Sequence, residues 1–166
     1  MVVSFIKIKE LSTYKVGFYT LYLEEEELTE FEKFDGTDFT HHQEELEIIY
    51  SILKIMGLRG AKPYYFRPEN GAEALPTKKD VPLHLIEANA DQGIRLYCIR
   101  ITDSIVILLN GGIKTNQDPK LCPNVKRHFN IAWQLSAAIT RAKLAGDIDW
   151  HPESTELSPL HVQIDL

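Results

Sequence analysis

The chain has 166 residues, of which 44% are hydrophobic, and a formal net charge of −6. This length suits one hydrophobic core and is too short for two comfortable domains, so we expect a single domain over residues 1–166. No apolar run approaches the roughly 18 residues that span a bilayer, and the first residues lack the basic start and apolar length of a secretion signal. We therefore expect a cytoplasmic protein without a membrane partner.

The charges are segregated along the chain. Residues 1–50 contain 4 basic and 12 acidic residues, residues 51–145 contain 14 and 7, and residues 146–166 contain no basic and 5 acidic residues. The N-terminal segment (1–50) and the C-terminal tail (147–166) are thus acidic extensions that flank a basic middle. They are either ordinary solvated surfaces or lie near the basic region and moderate its attraction for phosphates.

The first third of the chain predicts two strands and two helices. Residues 2–8 and 14–23 are rich in β-branched and aromatic side chains, which is typical of strands joined by a turn. Leu28, Phe31 and Phe34 have the spacing of a short amphipathic helix. A second helix is predicted over residues 41–56, after a capping-box pattern at 40–43.

The rest of the chain predicts a short strand, a hairpin and a long helix. Residues 63–67 favour the strand, with a turn at Asn70-Gly71 and a basic loop around Lys78 and Lys79. The hairpin joins 94–101 to 104–109, and residues 105–109 are apolar on both faces, which predicts a central position. A helix over 124–144 has one apolar side. The tail is either loosely attached or forms a strand at 161–164.

The segment from Gly93 to Pro119 resembles the C-terminal half of RelE/HigB-like toxins of toxin-antitoxin modules. That family's pattern has glycine, any residue and arginine, then a strand, a turn, an apolar strand, and finally Lys-Lys-Thr-x-x-Thr-Pro. Here the arginine is Arg95 and the ending is Ile-Lys-Thr-Asn-Gln-Asp-Pro at 113–119. Ile113 replaces the first lysine and Asp118 the second threonine. The order of elements matches over roughly residues 45–140, and the residue detail over about 93–119.

The resemblance implies an α+β fold, with a mixed, largely antiparallel sheet and helices packed on one face. It also implies the toxin component of such a module, a ribosome-dependent mRNA endonuclease. The expected partners are the ribosome, mRNA and a neutralising antitoxin protein, for example of the helix-turn-helix type. Cleavage of this kind removes a proton from the RNA 2′-hydroxyl, neutralises the phosphate charge and protonates the departing 5′-oxygen. We expect no cofactor and no metal site.

Three residues are the candidates for catalysis. By the resemblance, Arg95 and Lys114 stabilise the phosphate, and His128 is a candidate proton carrier near the segment. Each of these residues also has a structural alternative. Arg95 suits an exposed position on a strand or a structural ion pair, and a histidine at the start of a helix is often packed in the core or caps the helix. Lys114 on its own carries little information. Under the catalytic hypothesis, Arg95→Ala abolishes cleavage at an unchanged melting temperature, and a structural role predicts the reverse.

Further cations are candidates for RNA binding. They are Arg100, Lys126, Arg127, Lys78 and Lys79. Alternating strand geometry points Arg95 and Arg100 to opposite faces unless a bulge intervenes. Lys126 and Arg127 equally suit a soluble helix surface. The two cysteines, Cys98 and Cys122, have no spacing suited to zinc and are expected to be free thiols.

Two further hypotheses remain open. The first is a catalytically weak or inactive protein that keeps the RelE-like fold and binds a protein partner. Ile113 and Asp118 favour it, since together they remove one cation and add one anion near the expected RNA path. The second is an unrelated α+β binding module whose hairpin resembles the family by chance.

Overall fold

The computed structural model describes residues 1–23, 25–69, 71–85, 93–115 and 118–166. A seven-stranded sheet forms its centre, with the order β3-β4-β5-β6-β2-β1-β7. The strands are β1 (Val2–Lys7), β2 (Gly17–Leu23), β3 (Arg67–Glu69), β4 (Ala72–Leu75), β5 (Gly93–Thr102), β6 (Ile105–Lys114) and β7 (His161–Gln163).

The sheet is mixed and largely antiparallel, as predicted. Neighbouring strands run antiparallel except β2 and β6, which pair in parallel from Gly17 opposite Ile105 to Tyr19 opposite Ile107. The hairpin of β5 and β6 lies in the middle of the sheet, and residues 105–109 are buried. Their lack of polar alternation therefore correctly predicted the central position.

The α-helices whose bounds lie within the described residues are α1 (Glu30–Asp35), α2 (Gln43–Arg59) and α3 (Pro123–Ala145). The capping box lies at α1, where the Thr29 hydroxyl accepts from the Glu32 backbone and the Glu32 carboxylate accepts from the Thr29 backbone. The predicted box at 40–43 is wrong. Residues Thr40–His42 instead form a 3-10 turn that leads into α2 without a side-chain cap.

Helices cover both faces of the sheet, which corrects the prediction of helices on one face. One core joins α3 to one face of the sheet, through residues such as Tyr97, Ile107 and Phe129. The other core joins α1 and α2 to the opposite face, through residues such as Phe34 and Leu108. A strand that is apolar on both faces needs cover on both, so the composition of β6 is explained by two helical layers.

The acidic segments contribute to the sheet. Residues 1–50 supply β1, β2, α1 and the start of α2, while the C-terminal tail supplies the edge strand β7, at the position of the predicted terminal strand. The strand predicted at 63–67 is displaced, since Pro63–Tyr65 form a 3-10 turn and β3 follows. The predicted turn includes Asn70, which lies outside the described residues. Among the described helices, none has the length and apolarity to cross a membrane.

Candidate functional site

The two cations that the family resemblance singles out share one face of the sheet. In the β5–β6 register, Gly93 faces Lys114 and Arg95 faces Gly112. Both side chains lie in the layer covered by α3, where Arg95 is 2% exposed and Lys114 is 4% exposed. The structure therefore brings the predicted pair together but buries it.

A buried carboxylate from β3 binds this pair. Glu69 accepts a hydrogen bond from the Lys114 ammonium, and its Oε1 lies 3.6 Å from Nε of Arg95. Burial, followed by the charge of Glu69, raises the pKa of the nearby Tyr97 hydroxyl, which therefore stays protonated at neutral pH. In this conformation, a phosphate cannot contact Arg95 or Lys114 directly. Arg95, Lys114 and Glu69 form an internal ion cluster, which is the geometry expected if Arg95 has a structural and not a catalytic role.

A polar crevice opens where the two parallel strands end. After β2 the chain passes to α1 on one face of the sheet, and after β6 it passes to α3 on the other. The space outside the carboxyl ends of adjacent parallel strands, where the chain leaves to opposite faces, is the usual location of a ligand site in open sheets. A cavity of about 410 Å³ lies there, lined by Lys33 of α1, by residues 37–39 that follow this helix and include the Asp38 carboxylate, by the end of β6 and by the start of α3. We call it the carboxyl-end crevice.

Asn110, Gly111 and Gly112, which continue β6 beyond the strand predicted at 104–109, form one wall of this crevice. The Asn110 side chain accepts from the Gly111 backbone, and the Asn124 amide donates to the Ile113 carbonyl. A Cβ at Gly112 would come within 2.7 Å of the Asn124 carbonyl oxygen, so a side chain there would push α3 away from β6. The glycine allows α3 to begin against the strand, and two amide side chains satisfy backbone groups beside the cavity.

His128 and Lys33 supply the chemistry of the crevice. Burial, followed by the positive charges of Arg127 and Lys33, holds the pKa of His128 below its usual value, so the imidazole is neutral at pH 7. Nδ1 of His128 is buried and forms no hydrogen bond with any described residue. A neutral imidazole beside an ammonium can accept a proton while the cation stabilises a developing anion.

Lys126 and Arg127 extend the cationic surface from the crevice. Both are exposed on the first turns of α3 and line an adjoining groove together with Glu26. The Lys33 ammonium donates to the carboxylates of both Glu26 and Glu30, and the Glu26 carboxylate lies 3.7 Å from Nη2 of Arg127. The acidic N-terminal segment therefore does place a negative charge against these basic residues, as one of the two accounts of the charge pattern predicted.

The remaining predicted RNA-binding residues lie elsewhere. Arg100 is on the opposite face from Arg95, and its guanidinium donates to the Ala61 carbonyl and to Asp103. The divergence of the two arginines was therefore predicted correctly, even though β5 carries irregularities beside Leu96 and Arg100. Lys78 and Lys79 are exposed on a 3-10 turn, and the Lys79 ammonium lies 4.9 Å from the Tyr64 ring centre. Neither borders the crevice.

Lys33 is the functional candidate that sequence reasoning missed. It lies 95 residues before His128 in a strongly acidic segment, and nothing in its spacing relates it to the family pattern. Only the packing of α1 beside the end of β6 brings it to the crevice. The cysteines are free and buried, as expected, and burial raises the pKa of the Cys98 thiol. No cluster of metal-binding side chains occurs among the described residues.

Comparisons with protein-family models, with characterised proteins and with solved structures each gave no match.

Proposed function

We propose that the protein is the toxin component of a toxin-antitoxin module and that it acts on mRNA at the carboxyl-end crevice. The observation that carries this proposal is a cavity at the strand ends that is lined by Lys33 and by His128, whose buried Nδ1 forms no hydrogen bond with any described residue. The resemblance over residues 93–119 supplies the class of substrate. Of the three residues expected from the sequence to be catalytic, His128 keeps this role, and Lys33 takes the place of Arg95 and Lys114.

His128 is the proton acceptor in this mechanism. The neutral imidazole takes the proton of the RNA 2′-hydroxyl, and the resulting oxygen attacks the adjacent phosphorus. The bond from phosphorus to the 5′-oxygen breaks, which leaves a cyclic phosphate on one fragment and a 5′-hydroxyl on the other. Lys33 stabilises the extra negative charge of the phosphorane, and water supplies the proton to the departing oxygen.

Lys126 and Arg127 position the RNA backbone beside the crevice. Their exposure on the first turns of α3 leaves both ammonium and guanidinium accessible to phosphates. Glu26 weakens the attraction of this surface for phosphates, because its carboxylate offsets part of the positive charge of Lys33 and Arg127. RNA affinity is consequently low for the free protein, and the ribosome supplies the additional contacts.

The test is cleavage of mRNA on purified ribosomes, read by primer extension, together with growth after induced expression. His128→Asn should slow cleavage by about 100-fold or more, since a positioned base contributes roughly 10²–10⁴-fold. Lys33→Gln should also slow it, whereas Lys54→Gln, a matched change at an exposed lysine of α2, should not. Cleavage by His128→Asn at the wild-type rate would refute the proposal. So would a wild-type protein that neither cleaves nor arrests growth.

A second candidate function is protein-partner binding by a RelE-like fold without catalysis. The burial of Arg95 and Lys114 against Glu69 favours it, because the cations expected to contact phosphate lie inside the protein and share a buried carboxylate. In that case, co-expression with the product of the adjoining gene should give a stable complex, while ribosomes incubated with the free protein should retain intact mRNA.

A further inference from the structure

A second charged pocket lies at the opposite end of the central hairpin from the crevice. It has a volume of about 560 Å³ and is formed by the turn between β5 and β6, the end of α2, the β1–β2 connection and the C-terminal tail. Its charged lining consists of four cations and two acids, namely Lys15, Arg59, Lys62, Arg100, Asp103 and Glu153. The pocket thus has a formal surplus of two positive charges.

Asp103 holds half of these cations in place. Its carboxylate accepts from the Lys62 ammonium and from the Arg100 guanidinium, and Nε of Arg100 donates to the Ala61 carbonyl over 2.7 Å. The Lys62 hydrogen bond, followed by that of Arg100, lowers the pKa of the Asp103 carboxyl. The carboxylate is therefore charged at neutral pH, and the two cations are organised before any ligand arrives.

The other two cations are available to a ligand. Lys15 and Arg59 are exposed, and neither forms an ion pair with a described residue. The hydroxyl-bearing residues Thr102 and Ser104 line the same pocket and add neutral hydrogen-bonding groups. Two cations held by Asp103, two exposed cations and two hydroxyl groups in one pocket suit a compact oxyanion.

We propose that this pocket binds a phosphate monoester. At neutral pH such a group carries a charge of about −1.5 to −2, which matches the surplus of two positive charges, whereas a phosphodiester carries only one negative charge. A monoester group occurs at the phosphorylated end of a nucleic acid and on a free nucleotide. The proposal is independent of the chemistry assigned to the carboxyl-end crevice, since the two cavities share no lining residue.

The test is isothermal titration calorimetry of the whole protein with four probes. These are inorganic phosphate, AMP, a ten-nucleotide RNA with a 5′-phosphate, and the same RNA with a 5′-hydroxyl. We expect the 5′-phosphorylated RNA to bind more tightly than the 5′-hydroxyl RNA. Binding of AMP with similar affinity would identify a free nucleotide as the source, and preference for the phosphorylated RNA over AMP would identify a nucleic-acid end.

Variants connect the binding to this pocket. Lys15→Gln and Arg59→Gln should each weaken monoester binding by about tenfold, as expected for loss of one hydrogen bond to a charged group. Lys120→Gln, a matched change at an exposed lysine outside the pocket, should leave it unchanged. Binding should also weaken as the pH falls from 7.5 to 5, because the monoester takes up its second proton near pH 6. Two results would overturn the proposal. One is equal affinity for the two RNAs together with no binding of AMP or phosphate. The other is full affinity for the monoester in both Lys15→Gln and Arg59→Gln.

Discussion

The role of Glu69 can be tested by removing its charge while preserving its shape. In Glu69→Gln the side chain keeps its size, but the Lys114 ammonium then faces a neutral amide, and Arg95 loses a nearby anion. All three side chains are at most 6% exposed, so water cannot replace the lost charge. Removing one partner of a buried ion pair costs about 3–5 kcal/mol.

This cost is large relative to the stability of a domain, which is about 5–15 kcal/mol in total. For a chain of this size, each kcal/mol shifts the melting temperature by about 2–4 °C, so Glu69→Gln should melt roughly 10 °C below the wild type. Circular dichroism melts and urea titrations at pH 7 measure the change. Glu47→Gln, at an exposed position of α2, is the matched control and should melt like the wild type.

A double variant tests whether the loss of stability comes from breaking the Glu69–Lys114 ion pair. Glu69→Met combined with Lys114→Met replaces the ion pair with apolar side chains and should be more stable than Glu69→Met alone, because it leaves no ammonium facing an apolar group. If Glu69→Gln melted within 2 °C of the wild type, the internal ion cluster would have no structural role. A loss of RNA cleavage in Arg95→Ala without loss of stability would then restore the catalytic interpretation of that arginine.

Four other changes test the crevice and the core. Glu26→Gln should raise RNA affinity, because it removes the carboxylate nearest to Arg127 and one of the two carboxylates that bind Lys33, while Glu30 keeps its contact with Lys33. The neighbouring Glu27→Gln should leave RNA affinity unchanged, and a filter-binding assay distinguishes the two variants. Ile113→Lys adds a cation to the crevice lining and should strengthen RNA binding and steepen its salt dependence, so an unchanged salt slope would place the RNA elsewhere. The pKa of His128 is lower in the folded protein than in the unfolded chain, so the unfolded chain binds a proton at this residue more readily. The histidine therefore destabilises the folded protein as the pH falls below about 6.5. His128→Gln should make the free energy of unfolding vary less between pH 7 and pH 5. Ile107→Asp buries an unpaired carboxylate in the central strand at several kcal/mol, and a variant that still unfolds cooperatively at the wild-type temperature would contradict the assigned core.

Local sequence patterns predicted most of the secondary structure because hydrophobic periodicity and turn residues act over short distances. The hairpin, the long helix α3 and the central position of β6 all follow from such patterns. The capping box was predicted at the wrong place, since 40–43 and 29–32 both fit the motif and only the chain path distinguishes them.

The surroundings of the candidate functional residues were harder to predict, because distant parts of the chain create them. The sequence identified Arg95, Lys114 and His128, and the alternation rule placed Arg100 on the opposite face. It could not show that Glu69 buries two of these cations, because β3 reaches them only across the sheet. Exposure and charge pairing depend on contacts between elements, and these contacts have no local signature.

The sequence by itself indicated strands and helices of an α+β fold, a buried hairpin and a basic middle between acidic ends, and the family resemblance implied the mixed sheet. Tertiary structure alone decided that helices cover both faces, that the Arg95–Lys114 pair is internal, and that Lys33 joins His128 at the ends of two parallel strands. The physical reason is the range of the interactions. Periodicity and propensity are set by neighbours within a few residues, while burial, pKa and ion pairing are set by side chains that the fold brings together from 45 or 95 positions away.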